Sequence, residues 1–186
     1  MRLFVAIEIP DEIRNALAEF LKDMRGIAPQ VKWVRAENLH VTLKFLGETD
    51  AAKLRVIEGT LNSIRSPRPV SLEFRGLGFF PNEKRPRVFW AGMEASANLR
   101  TIAQDIDRGL HKLSFPLENR PFTPHLTLAR FDPPGLPAKL GPAVTAHSSR
   151  CFGSLTAREF HLIESKLKSS GAEYTTLQSF LFVAEI

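Results

Sequence analysis

The sequence has little of several features that mark special classes of protein. Its single cysteine, Cys151, cannot form an internal disulfide, so nothing indicates a secreted, disulfide-rich scaffold. The apolar stretch at the N-terminus, MRLFVAIEIP, is too short to span a membrane and has no signal-peptide cleavage pattern. No segment has low complexity, and no change of composition marks a linker between domains. We therefore expect a cytoplasmic protein without a membrane partner.

What the chain does have is the composition of an ordinary globular domain. Of its 186 residues, 44% are hydrophobic and 24% are charged, which is enough for one domain with a full core. The net charge of +5 favours polyanionic partners such as nucleic acids, although many small soluble proteins are also basic. The densest basic stretch, NEKRPR at residues 82–87, is predicted to be an exposed turn.

The hydrophobic pattern predicts strands that alternate with helices. Apolar residues recur at helical spacing in residues 11–25, 51–66 and 97–113, and Asp11 is placed to cap the first helix. Short β-rich runs predict strands at residues 2–10, 31–35, 40–47, 70–80, 87–93 and 122–131, and a closing hairpin at 155–167 and 174–186. The Pro/Gly-rich stretch at residues 132–144 is predicted to be a loop.

A unit in the first half of the chain is repeated in the second half. The motif HVTL at residues 40–43 matches HLTL at residues 125–128, so the two are offset by 125 − 40 = 85 in the numbering. The same offset aligns RLFVA at residues 2–6 with RVFWA at residues 87–91, and no gap is needed between the paired segments. The repeat predicts two similar lobes, at about residues 2–46 and 87–131, within a single domain of residues 1–186. A pseudo-twofold axis would let the two motifs face each other across a central cleft.

The two motifs place the same pair of side chains on one face of each strand. Because side chains alternate along a strand, His40 lies on the face of Thr42, and His125 lies on the face of Thr127. Two imidazoles suit phosphodiester chemistry, since one can accept a proton from the nucleophile while the other donates one to the leaving oxygen. Two hydroxyl groups can donate to the non-bridging phosphate oxygens, and this chemistry needs no metal.

Other interpretations of the same residues are open. A lone strand histidine is usually structural, and a zinc site would need a third protein ligand, whereas neither motif has a carboxylate or cysteine beside its histidine. Threonine is also common in strands because of its β propensity. The remaining histidines, His111, His147 and His161, have no partner in the repeat and are expected to be structural or on the surface.

Three further residues are candidates for substrate binding. Arg130, in HLTLAR, could clamp a phosphate with its planar guanidinium, and a surface or structural role is the alternative. Strict alternation places Arg130 opposite His125, although a bulge or a strand end would change this. Phe4 and Phe89 match across the repeat and could stack on a base, although packing in the strand core is their expected use.

In order, spacing and flanking residues, the two motifs resemble the 2H phosphoesterase superfamily. Within it, the sequence is most similar to the bacterial and archaeal RNA 2′,3′-cyclic phosphodiesterases, also called 2′-5′ RNA ligases. The stretches that carry the resemblance are RLFVAIEIP, WVRAENLHVTLKFLGE, GFFPNEKRPRVFWAG and FTPHLTLARF. The resemblance implies an α+β fold, in which a bilobal duplicated domain with two antiparallel sheets and flanking helices surrounds a central cleft.

The resemblance also implies a reaction. It is the metal-independent hydrolysis of a terminal RNA 2′,3′-cyclic phosphate to a 2′-phosphate, with a reverse-like 2′-5′ ligation when an RNA 5′-hydroxyl replaces water. In that family His40 would be the proton donor and His125 the proton acceptor, with Thr42 and Thr127 holding the phosphate. We expect no cofactor and a monomer whose partner is RNA with a cyclic phosphate end. The alternatives are a non-catalytic module that binds RNA ends, a 3′ exonuclease, or a phosphodiesterase for small cyclic nucleotides.

Overall fold

The computed structural model describes residues 1–169 and 171–183. The elements are, in chain order, β1 (Arg2–Glu8), α1 (Asp11–Ile27), β2 (Lys32–Trp33), β3 (His40–Glu48), α2 (Leu54–Leu61), β4 (Val70–Phe80), β5 (Val88–Ala95), α3 (Asn98–His111), β6 (His125–Arg130), α4 (Leu140–Ala146), β7 (Cys151–Ala157), β8 (Glu159–Lys168) and β9 (Gly171–Leu181). Short 3-10 helices at Ala36–Asn38 and Ala51–Lys53 precede β3 and α2. Within these ranges, no helix combines the length and the apolar character that crossing a membrane would require.

The strands form two antiparallel sheets. The first has the order β3-β1-β8-β9, and the second has the order β2-β6-β5-β4-β7. The predicted α+β fold with two antiparallel sheets and flanking helices is thereby confirmed. Each histidine motif begins a strand of a different sheet, and these two strands, β3 and β6, contact each other. The two motifs therefore meet at one groove between the sheets.

Each long helix packs against the sheet to which its preceding strand does not belong. Helix α1 follows β1 of the first sheet, yet its Phe20 ring packs on Phe89 and Phe152 of the second sheet, with centroids 6.4 Å and 5.4 Å apart. Helix α3 follows β5 of the second sheet but contacts β3 of the first sheet. Because of this exchange, the main hydrophobic cluster contains residues of both sheets and all four helices.

Two local predictions are wrong. Asp11 does not cap α1, because the N-cap residue is Pro10 and no side chain accepts a hydrogen bond there. Asp11 is instead the first helical residue, and its carboxylate lies 3.7 Å from the guanidinium of Arg14. The stretch 132–144 is not entirely loop, because α4 begins inside it at Leu140, which packs with Val144 into the core. Proline is tolerated in the first turn of this helix, where amide hydrogens have no intrahelical partner.

The predicted closing hairpin is formed by β8 and β9. The segment predicted as one strand at residues 155–167 contains the end of β7 and most of β8, with a break at Arg158. Residues 184–186 of the predicted second strand lie outside the described residues. The predicted strand at residues 31–35 is reduced to the two residues of β2, which pair with the end of β6.

The same bulge interrupts both motif strands. In β3, Lys44 lies opposite Val5 and Thr42 lies opposite Ala6, so Leu43 is skipped in the pairing. In β6, Leu128 is skipped in the same way between the partners of Phe89 and Trp90. An extra residue of this kind reverses the alternation of side chains beyond it. Residues after each bulge therefore face the side that strict alternation would deny them.

The repeat holds in the motif strands but slips by one residue in their partner strands. Thr42 lies opposite Ala6, whereas Thr127 lies opposite Trp90 rather than the Ala91 that the gapless alignment predicts. The two phenylalanines matched in the sequence consequently lie in different places. Phe89 packs in the main core, as expected, whereas Phe4 belongs to a separate small cluster on the groove face.

Candidate active site

The two motif histidines are held by the backbone in the same way. Nδ1 of His40 lies 2.7 Å from the carbonyl oxygen of Asn38, and Nδ1 of His125 lies 2.8 Å from that of Thr123. A carbonyl oxygen can only accept a hydrogen bond, so Nδ1 carries the proton in both rings. Each ring therefore presents Nε2 as the atom that can exchange a proton with a ligand. The two carbonyls have the same offset as the motifs, 123 − 38 = 85 in the numbering, so the repeat includes the residue that selects the tautomer.

Aromatic rings enclose His40. The ring of Phe4, its neighbour from β1, lies 4.6 Å away between centroids, and the ring of Tyr174 from β9 lies 5.3 Å away. Phe4 and Tyr174 also contact each other, with centroids 5.0 Å apart. The imidazole of His40 is therefore set into an apolar corner of the first sheet, with its Nε2 side left for a ligand.

This apolar corner controls the protonation of His40. Burial lowers the pKa of His40 from 6.5 to about 4. The hydrogen bond to Asn38 raises this pKa, the charge of Arg14 lowers it, and the carboxylate of Glu8 raises it, each less strongly than burial acts. Glu8 lies opposite His40 in the sheet, and its Oε1 accepts a hydrogen bond of 2.6 Å from the hydroxyl of Thr176. His40 is consequently neutral at pH 7 in the unliganded protein.

His125 has a different aromatic support. The ring of Phe80 lies edge-on at 5.1 Å, and Phe80 in turn packs on the indole of Trp90 at 5.2 Å. The indole lies flat against two glycines, because a Cβ on Gly78 would overlap its ring and a Cβ on Gly92 would meet it at 3.1 Å. The Nε1 of Trp90 is buried and has no hydrogen-bond partner among the described residues. The indole is therefore held mainly by packing.

Both motif threonines lie half-buried on the same face as the histidines. Neither the hydroxyl of Thr42 nor that of Thr127 has a hydrogen-bond partner within the described parts of the chain. Because a hydroxyl group is both a donor and an acceptor, each is available to a ligand in the groove. The structure thus brings the four residues of the two motifs to one groove, as the repeat predicts.

The bulges bring two further side chains to the groove. Skipping Leu128 turns Arg130 to the face of His125, and skipping Leu43 turns Phe45 to the face of His40. Phe45 is 56% exposed, and its ring lies 6.0 Å from that of Phe4. Burial raises the pKa of Tyr174, while the charges of Arg130 and Arg2 act to lower it. Arginines of both sheets therefore lie near this tyrosine, at the end of the groove away from the histidines.

The other three histidines lie outside this group, as predicted. Nδ1 of His111 is 3.0 Å from the carbonyl oxygen of Phe115, His147 packs edge-on against a ring of α1, and Nδ1 of the buried His161 is 2.9 Å from the hydroxyl of Ser179. Within residues 1–169 and 171–183, no three His, Cys, Asp or Glu side chains form a group that could hold a metal ion.

Sequence reasoning missed the side chains that surround the two imidazoles. Tyr174 and Phe80 come from strands far along the chain from either motif, and neither belongs to the repeat. Glu8 and Trp90 lie on the partner strands of the motifs, and alternation from Phe4 and from Val88 would have placed both on the groove face. That signal was usable, whereas nothing local indicated Tyr174 or Phe80.

Comparison with known proteins finds one family throughout. The family model described as LigT like Phosphoesterase matches residues 7–90 and 92–174, two segments whose first residues are also offset by 92 − 7 = 85 in the numbering. The RNA 2′,3′-cyclic phosphodiesterase of Archaeoglobus fulgidus is 37% identical over 180 residues, which cover 97% of this chain and 99% of that protein. The crystal structure of TT0787 of Thermus thermophilus matches with a TM-score of 0.82 and 32% identity over the full length of both chains. That of Escherichia coli LigT complexed with 3′-AMP matches with a TM-score of 0.77 and 28% identity over 98% of each chain.

Proposed function

The chain belongs to the LigT-like phosphoesterase family, and we propose that it hydrolyses the 2′,3′-cyclic phosphate at the 3′ end of RNA to a 2′-phosphate. One observation carries this proposal: His40 and His125 are tethered alike through Nδ1 and present Nε2 to one groove. Support also comes from relatives over 30% identical across nearly the whole chain, which bear the name RNA 2′,3′-cyclic phosphodiesterase. E. coli LigT has been crystallised with 3′-AMP, a ribonucleotide with a 3′-phosphate.

The proposed reaction uses the two imidazoles as acid and base. Nε2 of His125 accepts a proton from a water molecule, whose oxygen attacks the phosphorus in line with the departing 3′ oxygen. A P–O bond to water forms, the P–O3′ bond breaks, and His40 gives its Nε2 proton to the 3′ oxygen. The bond to the 2′ oxygen is retained, so the product is a 2′-phosphate. Solvent then returns the proton from His125 and restores the one lost by His40.

The donor role requires His40 to take up a proton when the substrate binds. Burial keeps its pKa at about 4 in the unliganded protein. A bound phosphodiester brings a negative charge next to the ring, which favours the imidazolium form. The carboxylate of Glu8 acts in the same direction, whereas the residue opposite His125 is Gly92, which has no side chain. This difference supports His40 rather than His125 as the proton donor.

The remaining groove residues would hold the phosphate. The hydroxyls of Thr42 and Thr127, which have no protein partner among the described residues, can donate to the two non-bridging oxygens. The guanidinium of Arg130 would add a charged donor at the same face. In this arrangement the developing charge is stabilised by protein groups alone, so we propose that the reaction needs no metal. An RNA 5′-hydroxyl in the position of the water would give the 2′-5′ link of the ligation reaction.

The test is hydrolysis of a short RNA that ends in a 2′,3′-cyclic phosphate, assayed in EDTA. We expect the wild type to release a 2′-phosphate end, and His40→Ala and His125→Ala each to lower kcat by about 10²- to 10⁴-fold. His111→Ala is the matched control, because this histidine lies outside the groove and should leave kcat unchanged. Full activity in either folded groove variant would contradict the mechanism. RNA binding without turnover by the wild type would indicate a binding module instead.

The pH dependence of the wild type tests the assignment of the donor. The profile of kcat/KM reports the free enzyme, whereas that of kcat reports the enzyme with bound substrate. Since bound phosphate raises the pKa of His40, the limb for loss of the donor proton should lie at higher pH in kcat than in kcat/KM. Coincident limbs would contradict proton uptake by His40 on binding.

A further inference from the structure

A basic turn continues the groove at the end away from the histidines. The turn consists of residues 81–87, between β4 and β5. Its Arg87 carbonyl accepts a hydrogen bond of 2.9 Å from the amide of Phe131, and the next residue, Val88, lies opposite Arg130. His125 pairs at the other end of the same strand, opposite Gly92. The basic turn therefore lies beyond Arg130 on a line that begins at the catalytic end of the groove.

The cations of the basic turn are exposed and unpaired. Lys84, Arg85 and Arg87 are all exposed, and none makes an ion pair with any residue in the described ranges. Glu83 is the only acidic residue in the turn, so the turn carries a net positive charge. These side chains differ from most other basic groups near the groove, whose charges already have partners.

The backbone of the basic turn is anchored, so its charges are presented in a fixed place. The amide of Arg85 donates to the side-chain oxygen of Asn82 at 3.2 Å, and the amide of Arg87 donates to the carbonyl of Phe80 at 2.7 Å. Pro86, between these two arginines, is buried. An anchored turn with free cations is suited to a polyanion that passes along the groove.

The opposite end of the groove is less suited to a polyanion. The guanidinium of Arg14 is occupied by three backbone carbonyls, and that of Arg35 lies 3.7 Å from the carboxylate of Glu37. Exposed carboxylates add negative charge there, from Glu8 on β1 and from Glu118 in the segment before β6. A negatively charged strand bound at the histidines would therefore leave the groove towards the basic turn.

We propose that the basic turn binds the phosphodiester backbone of RNA on the 5′ side of the terminal nucleotide. The inference rests on the proposed function and names its substrate class, an oligonucleotide rather than a mononucleoside cyclic phosphate. The stretch from His125 to Arg130 spans roughly 16 Å, and the turn lies beyond it, so its cations contact phosphates other than the scissile one. Such contacts add affinity without reading the bases, so the preference is for length rather than sequence.

The experiment compares two double variants on two substrates. Lys84→Gln/Arg85→Gln removes two charges from the basic turn, and Arg108→Gln/Lys112→Gln removes the same two charge types from the exposed surface of α3 and its C-cap. The substrates are a pentanucleotide ending in a 2′,3′-cyclic phosphate and a nucleoside 2′,3′-cyclic phosphate. For the turn variant at low salt, we expect kcat/KM on the pentanucleotide to fall about tenfold and its log–log slope against salt to flatten by about 1.4. We expect no change on the mononucleotide, and none for the α3 variant on either substrate.

The outcomes separate this inference from the proposed function. Equal losses on both substrates, equal losses in both double variants, or no loss on the pentanucleotide would each overturn the inference while leaving hydrolysis intact. If the wild type hydrolyses neither substrate, the proposed function fails. In that case fluorescence anisotropy with a labelled pentanucleotide ending in a 3′-phosphate decides the matter. Weaker binding by the turn variant alone supports the RNA path, and equal binding by both variants contradicts it.

Discussion

Strands β3 and β6 carry the same motif, the same bulge and the same bond from imidazole Nδ1 to a backbone carbonyl, yet their histidines meet different surroundings. His40 is enclosed by Phe4 and Tyr174, and a carboxylate lies opposite it. His125 contacts the edge of Phe80 and has a glycine opposite it. A duplicated motif thus reproduces how each ring is oriented and which nitrogen it presents. It does not reproduce the environment that sets the proton affinity of the ring.

The comparison explains how a symmetric pair can perform two different steps. An acid and a base must differ in protonation at the same pH, which two identical sites would not do. The difference here is supplied by side chains outside the repeat, above all by Tyr174 of β9 and Phe80 of β4. Substitutions at matched positions of β3 and β6 can therefore separate what the strands share from what they do not.

The largest effect on stability is expected where the two strands differ in charge. Lys44 corresponds to Ala129 in the repeat, since 44 + 85 = 129, and its buried ammonium contacts Asp107 of α3 at 2.5 Å and the carbonyl of Pro116 at 2.6 Å. Lys44→Met leaves a mostly buried carboxylate without its cation, so we expect the free energy of unfolding to fall by about 3–5 kcal/mol. Urea denaturation measures this change.

The control for this prediction removes both charges. Lys44→Met/Asp107→Leu replaces the ion pair with apolar side chains, and we expect it to recover most of the stability lost by the single variant. A loss below about 1 kcal/mol in the single variant would show that this ion pair does not hold α3 against β3.

The next effect concerns the pH dependence of stability. The pKa of His40 is about 4 in the folded protein, below its ordinary value of 6.5. Between these values the unfolded chain binds a proton that the folded protein does not, so stability falls as the pH is lowered from 6.5 to 4, by at most about 3 kcal/mol. His40→Gln lacks this contribution, so the stability of the wild type relative to the variant should fall across this range. Denaturation at pH 7, 5.5 and 4 measures it, and a constant difference between the two proteins would contradict the burial of a neutral ring.

A smaller effect is expected from the paired hydroxyls. Thr42→Val and Thr127→Val keep the shape and β propensity of the side chain but remove one donor to the phosphate. We expect each to lower kcat about 10- to 100-fold, the value of a hydrogen bond to a charged group, with little change in stability. Thr156→Val, at an exposed position of β7, is the matched control and should not change kcat. If only one of the two motif variants loses activity, the hydroxyls do not share the phosphate.

The smallest effect perturbs the support of His125 alone. Gly78→Ala places a Cβ against the indole of Trp90, which packs on Phe80 beside the imidazole. We expect a loss of stability of about 1–3 kcal/mol and a decrease in kcat below tenfold. Gly59→Ala in α2, where a Cβ meets open space, should instead stabilise the protein by up to about 1 kcal/mol. Equal stability changes in the two variants would show that the indole is not constrained by Gly78.

Much of this arrangement was predictable because its signals are local. Period-two alternation predicted that His40 and Thr42 share one face, and the constant offset between the two copies predicted the same for the second motif. Helical spacing predicted the buried face of α1, including Phe20. The face of Arg130 was not predictable by counting, because the bulge at Leu128 reverses the alternation beyond it and leaves no mark in the residue types.

By itself, the sequence determined the two histidine–threonine motifs, their order and spacing, and the strand and helix faces on which the apolar residues lie. These follow from the covalent periodicity of strands and helices, which every local segment carries. Only the tertiary structure decided that Tyr174 and Glu8 surround one imidazole while Phe80 and Trp90 support the site of the other. Strand order, register and bulges bring these residues together, and such pairings between distant segments depend on how whole surfaces pack rather than on any one stretch of the chain.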